Sequence, residues 1–228
     1  MLFLHGFAQT LPGVRPSGPE AEVALFVGQA NGHDVMFLGG QSAWVGGRLD
    51  AGLPVGPRVH VGASLPAYAL QYERLTCTFG ATCTVTDFVP FFPVFNPALW
   101  VGADVLQLSS LAVSPWLLAR AEVSVPSKDP VTFAPEAVLG VTVTFRSAVA
   151  ATAVVPAVAV SPPRWPLDDA RLGAALALAN HRFSLDAGFL WLAAGYTYSW
   201  PRVSLGLRWA TSGTYGNTAE LGGRWHAR

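Results

Sequence analysis

Arg182-Phe183-Ser184-Leu185-Asp186-Ala187-Gly188-Phe189 alternates without a break. Phe183, Leu185, Ala187 and Phe189 fall on one face, Arg182, Ser184, Asp186 and Gly188 on the other. Only an extended strand sends successive side chains to opposite faces, so this period of two decides for β-structure. The polar face is also informative. It carries small residues and charges, where a solvated strand would show Lys, Glu and Gln.

The same pattern recurs along the chain. Val203, Leu205, Leu207 and Trp209 alternate with Ser204, Gly206 and Arg208, and Leu117, Ala119, Ala121, Val123 and Val125 with Leu118, Arg120, Glu122 and Ser124. Val59, Val61, Ala63 and Leu65 oppose Arg58, His60, Gly62 and Ser64. Ala137, Leu139, Val141, Val143 and Phe145 oppose Glu136, Val138, Gly140, Thr142 and Thr144. Ala21, Val23, Leu25 and Val27 face away from Glu20, Glu22 and Ala24, and Tyr215, Ala219, Leu221 and Trp225 from Thr218, Glu220, Gly222 and Arg224. Asn31-Gly32, Asn180-His181, Pro201-Arg202 and Ser212-Gly213 separate the runs as turns, the mark of antiparallel hairpins. Each run approaches the roughly 9–11 residues of a tilted membrane-crossing strand. The length of 228 residues then predicts one closed, antiparallel, up-and-down all-β barrel of about ten to twelve strands.

Composition agrees. The chain is 51% hydrophobic but only 12% charged, with 14 basic and 14 acidic residues and a single lysine, Lys128. A soluble surface carries about 25–35% charged residues. Charge balance excludes an electrostatic nucleic-acid binder, and high hydrophobicity excludes disorder. No run of about 20 apolar residues crosses a bilayer as a helix; Ala137–Val160 is broken by Thr142, Thr144, Arg146, Ser147 and Pro156. An apolar face of Val, Leu, Phe, Tyr and Trp opposite a face of Gly, Ser, Thr and Ala suits lipid outside and a narrow lumen inside. Tyr196, Tyr198 and Trp200 before Pro201 suit an aromatic girdle, and Trp44, Trp100, Trp191, Trp209 and Trp225 also lie in or beside strands.

On these alternating strands, from about residue 20 to the C-terminus, the chain resembles small bacterial outer-membrane β-barrels. The terminal strand, Thr214 to Trp225, is similar to the aromatic-ended strand such proteins present to the barrel-assembly machinery, although His226-Ala227-Arg228 follow the aromatic. The resemblance implies a bacterial outer-membrane location, with the lipid bilayer and that machinery as partners.

Residues 1–18 are expected to be a signal-peptide remnant or an N-terminal extension, and 19–228 the barrel. Gly6-Phe7-Ala8 has the small-x-small form of a cleavage site, yet a basic n-region is missing; an ordinary first strand is the alternative. Thr76-Cys77-Thr78-Phe79-Gly80-Ala81-Thr82-Cys83-Thr84 is nearly palindromic about Gly80. A tight hairpin there opposes Cys77 and Cys83, which predicts a disulfide in an oxidising compartment rather than free thiols.

Glu22, Arg58, His60, Arg120, Glu122, Glu136, Arg182, Asp186, Arg208, Glu220 and Arg224 are the candidate lumen-lining residues, with Glu20 on the same face. They either line a pore and set its preference for small solutes or ions, or pair with one another and fill the barrel. With so few strands, the filled or narrow lumen is favoured. His5, His33, His60, His181 and His226 form no ligand-spaced cluster, so neither metal nor cofactor is expected. Leu4-His5-Gly6 resembles the oxyanion loop of α/β-hydrolases, but Gly40-Gln41-Ser42-Ala43-Trp44 fails as the required Gly-x-Ser-x-Gly elbow. Ser42, His33 and Asp34 are rim candidates for hydrolysis with nothing in their spacing to demand it. Phe88–Pro97, rich in Pro and Phe, reads as a loop at the interface or over the mouth, and Ser161–Asp169 as a second loop.

The sequence thus favours a non-enzymatic outer-membrane barrel, either a narrow porin-like channel or a structural envelope protein. A secreted β-rich binding module, sandwich or soluble barrel, is the alternative; a membrane-embedded hydrolase follows it.

Overall fold

In a barrel that lies in lipid, the apolar members of each alternating pair must point outward, and the computed structural model shows that they do. It describes residues 13–32, 40–77, 83–125, 130–145, 149–160, 170–188, 191–212 and 216–226. Phe183, Leu185, Trp209 and Leu221 are each about half exposed, while Glu22, Asp186, Arg208 and Glu220 are buried. A sandwich or soluble barrel gathers its Leu and Phe in a dry interior. This chain presents most of its described Leu and Phe to its surroundings and keeps Phe26, Leu70, Phe92 and Leu118 inside.

The strands are β1 (Glu20–Gly32), β2 (Gly40–Pro54), β3 (Val59–Cys77), β4 (Cys83–Phe95), β5 (Ala98–Ala103), β6 (Leu106–Gln107) and β7 (Leu111–Ser124). They continue with β8 (Thr132–Phe145), β9 (Val149–Val160), β10 (Arg171–Leu178), β11 (His181–Gly188), β12 (Trp191–Ser199), β13 (Val203–Ser212) and β14 (Gly216–His226). All pairings are antiparallel, and β1 with β14 closes the cylinder. Closure of β1 on β14 pairs the first and last strands, so neither presents a free edge that hydrocarbon could not solvate.

β4 and β5 form one stave. The ladder runs through Asn96-Pro97, because Asn96 N donates to Pro66 O at 2.9 Å and Ala121 N to Pro97 O at 3.0 Å. Inward parity also continues across the break, through Phe92, Val94, Asn96 and Trp100. With β6 only a short ribbon on β7, the fourteen strands among the described residues make a barrel of twelve staves. An even number places Glu20 and His226 side by side at one end, here the termini end. Short connections lie there: Val55–Arg58, Ala179-Asn180 and Trp200–Arg202.

Three expectations are corrected. Phe88–Phe95 is strand, not loop: Phe92 and Val94 point inward while Phe88, Phe91 and Phe95 face out. Its prolines are tolerated because β4 meets β7 only at Val94 and Phe95, which leaves Pro90 on an unpaired edge. Asn31-Gly32 is not a turn; both residues still pair with β2, as Asn31 with Gln41 and Gly32 with Gly40. In the second hairpin the turn residues are Ala179-Asn180, and His181 opens β11. Ser161–Asp169 and Gly213 lie outside the described residues.

Large side chains also line the interior, beyond the small ones expected there. Trp44 lies over Gly28, Tyr68 over Gly46, Trp100 over Gly62 and Trp116 over Gly140, each glycine directly opposite on the neighbouring strand. A Cβ at Gly28, Gly62 or Gly140 would overlap the indole, and one at Gly46 would overlap the Ala67 carbonyl oxygen and the Tyr68 Cβ. The missing side chain lets an aromatic lie flat on the wall. Outside, His181, Phe183, Tyr196, Tyr198 and Trp200 form a continuous ring cluster near the termini end, with Tyr198 and Trp200 centroids 4.6 Å apart. Trp225 is exposed at the same end, as a girdle requires.

Candidate functional site

The interior charges form a belt across β2, β1, β14, β13, β11 and β10. Its centre is Arg48 of β2, which lies opposite Ala24 of β1, itself opposite Gly222 of β14. Those two small residues let the guanidinium cross a whole strand. Nη1 and Nη2 each stand 2.9 Å from a Glu220 carboxylate oxygen, a two-point ion pair. Nη2 also donates to Glu22 at 3.1 Å, and Nε donates to Asp50. One cation thus holds three acids.

The belt extends in both directions. Arg224 donates to Glu22, with Nη2 at 2.7 Å, and approaches Glu20 at 3.6 Å. On the other side Arg208 lies opposite Glu220 in the β13–β14 register. It reaches over β12, where it faces Gly195, to Asp186 of β11 at 3.2 Å. Arg171 of β10 completes that group at 2.7 Å from Asp186, with its guanidinium 5.6 Å from the centre of the Trp191 ring. On the far wall Arg120 and Glu136 are direct cross-strand partners joined at 2.8 Å.

Of the candidates read from sequence, Glu22, Asp186, Arg208, Glu220 and Arg224 meet in this belt, and Arg120 pairs with Glu136 apart from it. Glu122 shares the inward face of β7, partly buried. Arg182 has inward parity but is exposed near the termini-end mouth, and Arg58 is exposed in the β2–β3 turn. His60 is wholly buried, its ring edge-on to Trp100 with centroids 5.5 Å apart. Arg48, Asp50, Arg171 and Asp104 escaped the sequence reading. The signal for the first two was present, since Val45, Leu49 and Leu53 alternate with Gly46, Arg48, Asp50 and Gly52.

Cys77 and Cys83 face each other in the backbone register as the last pair of β3 and β4; their side chains lie outside the described residues, as does Thr78–Thr82. Ser42 belongs to β2, while His33, Asp34 and residues 1–12 lie outside the described residues. Among the described residues no group of His, Cys, Asp and Glu is arranged to hold a metal.

The chain matches no protein-family model and no curated protein sequence. Among solved structures it is similar to the outer membrane phospholipase A of Escherichia coli: TM-score 0.51, 11% identity, 97% of this chain and 94% of that one covered. The Salmonella typhi outer membrane phospholipase dimer with bound calcium gives TM-score 0.52 at 11% identity, covering 96% of this chain and 93% of that one. At such identities the likeness is one of fold. The chain has the architecture of a bacterial outer-membrane β-barrel.

Proposed function

We propose that this chain is a structural, non-enzymatic protein of the bacterial outer membrane, whose lumen is closed by its charge belt. The observation that carries this reading is burial: Glu22, Arg48, Asp50 and Glu220 are each 3% exposed. Charges along an open pore stand in water. Charges that water cannot touch, held by one another at ion-pair distance, fill the space through which a solute would pass. The narrow-channel reading is therefore the weaker of the two.

Location follows from the same inside-out arrangement. Val, Leu and Phe exposed on every side suit a hydrocarbon surrounding, with the Tyr196–Trp200 cluster at the head-group level. Short turns and the paired ends of β1 and β14, Glu20 and His226, at one end suit the periplasmic side. The closing strand β14, with Trp225 outward, is the segment offered to the assembly machinery.

Planar-bilayer recording tests the proposal. Insertions without conductance steps support a sealed barrel; steady ohmic steps in salt overturn it in favour of a channel. Release of fatty acid from phospholipid vesicles by the purified protein would overturn its non-enzymatic part.

A further inference from the structure

Residues 13–19 precede β1 and turn back into the barrel. Gly13 and Pro16 are buried. Gly13, at φ 77°, lies so close to the Trp116 indole and the Thr142 side chain that a Cβ would overlap both. The Pro16 ring lies about 3.5 Å from where a Cβ on Gly52 would stand. Trp116 and Thr142 belong to β7 and β8, nearly opposite β1 in the circle of staves. This short segment therefore spans the termini-end mouth from one wall towards the other.

Arg15 ties it down midway. Nη2 donates to Gly56 O at 2.7 Å and Nη1 donates to Pro57 O, both in the β2–β3 turn. Nη1 also stands 3.7 Å from Asp104 Oδ2, a carboxylate with only 1% of its side chain exposed. Asp104 does not depend on Arg15 for its place. Its backbone N donates to Arg58 O at 2.9 Å, and Oδ1 accepts from Ser114 Oγ. Oδ2 accepts no hydrogen bond and is left facing the guanidinium. A fixed carboxylate and two fixed carbonyls are all acceptors, spread to suit a planar cation with several donors. An ammonium, a point charge, matches them less well.

We propose that residues 13–19 are a strap across the termini-end mouth, latched by Arg15 in a guanidinium pocket built from Asp104 and the Gly56 and Pro57 carbonyls. Small guanidinium cations compete with Arg15 for that pocket. The inference is independent of whether the lumen conducts, because its readout is motion of the strap.

The test places a nitroxide label at the exposed strap position Ser17→Cys, in full-length protein carrying Cys77→Ser and Cys83→Ser, folded in detergent. Folding of each variant is checked by heat-modifiable migration. The label is expected to be immobilised with Arg15 present, mobile in Arg15→Ala, and intermediate in Arg15→Lys. Guanidinium chloride at about 100 mM, above the millimolar effective concentration of a short tether, should mobilise it where equal sodium chloride does not. Asp104→Asn should reproduce the Arg15→Ala spectrum. An unchanged spectrum in Arg15→Ala, or a guanidinium response no greater than that of sodium, overturns the latch.

Discussion

Arg48 and Glu220 join in a two-point ion pair across an intervening strand, although 172 residues separate them in sequence. The pair exists only once β1 has closed on β14, so it fastens the seam of the barrel. Arg48→Met removes the cation and leaves Glu22, Asp50 and Glu220 with less compensation in a buried site. Loss of one partner of such a group costs about 3–5 kcal/mol. Glu220→Gln keeps the shape and leaves two acids on Arg48, so its cost should be smaller. Urea unfolding of both variants in detergent checks the order; equal stability of Arg48→Met and the unsubstituted protein would refute it.

Trp44 and Gly28 test the flat packing of aromatics on the wall. Gly28→Ala puts a methyl where the indole lies. Overpacking of this kind costs about 1–3 kcal/mol. Trp44→Ala, at a residue 2% exposed, should cost about 3–5 kcal/mol, as large-to-small core changes do. With the ring gone the methyl has room, so the double variant should be less destabilised than the sum of the two singles. Additive losses would show that the contact is not the reason for the glycine.

Much of this architecture is legible in alternation alone. Leu25 outside and Glu22 inside follow from a period of two together with the chemistry of the two faces. The identity of each partner is not. Arg48 reaches Glu220 because β14 lies beside β1, and no local pattern encodes that closure or its register. Trp44 and Trp100 look like girdle residues in sequence, because the glycines that receive them lie on neighbouring strands. Phe88–Pro97 hides a strand because its prolines signal loop, and only the absence of β7 beside most of β4 makes them harmless. Arg15 is a lone cation in sequence until the β2–β3 turn and Asp104 are brought to it.

The Ala179-Asn180 turn carries a local strain that a single substitution should relieve. Ala179 has φ 52°, a conformation in which its Cβ crowds the backbone and which glycine adopts freely. Leu178 and His181 already pair across the turn, so the conformation is imposed by the hairpin. Ala179→Gly should stabilise the barrel, by about 1 kcal/mol at most, since the added freedom of the unfolded chain offsets part of the gain. A lower urea midpoint in the variant would contradict the assignment.

Cys77 and Cys83 end the β3–β4 ladder as direct partners. Protein folded from an oxidising compartment should therefore show no thiol titratable by a maleimide until reductant is added. Labelling of both residues without reductant would rule the bond out.

Leu207 and Val203 separate a lipid surrounding from water. Both lie on the outward face of β13, Leu207 at mid-strand and Val203 at the termini end beside Trp225. In water, an arginine at either exposed position would change stability little, and replacing an exposed leucine would even favour solubility. In a bilayer the two positions differ by depth. Leu207→Arg should cost about 2–4 kcal/mol near the midplane, and Val203→Arg only about 0–1 kcal/mol, since its side chain reaches the head groups. Refolding into phospholipid vesicles measures both. A cost at Leu207 no larger than at Val203 would mean that this face does not lie in hydrocarbon, and the membrane reading would fall with it.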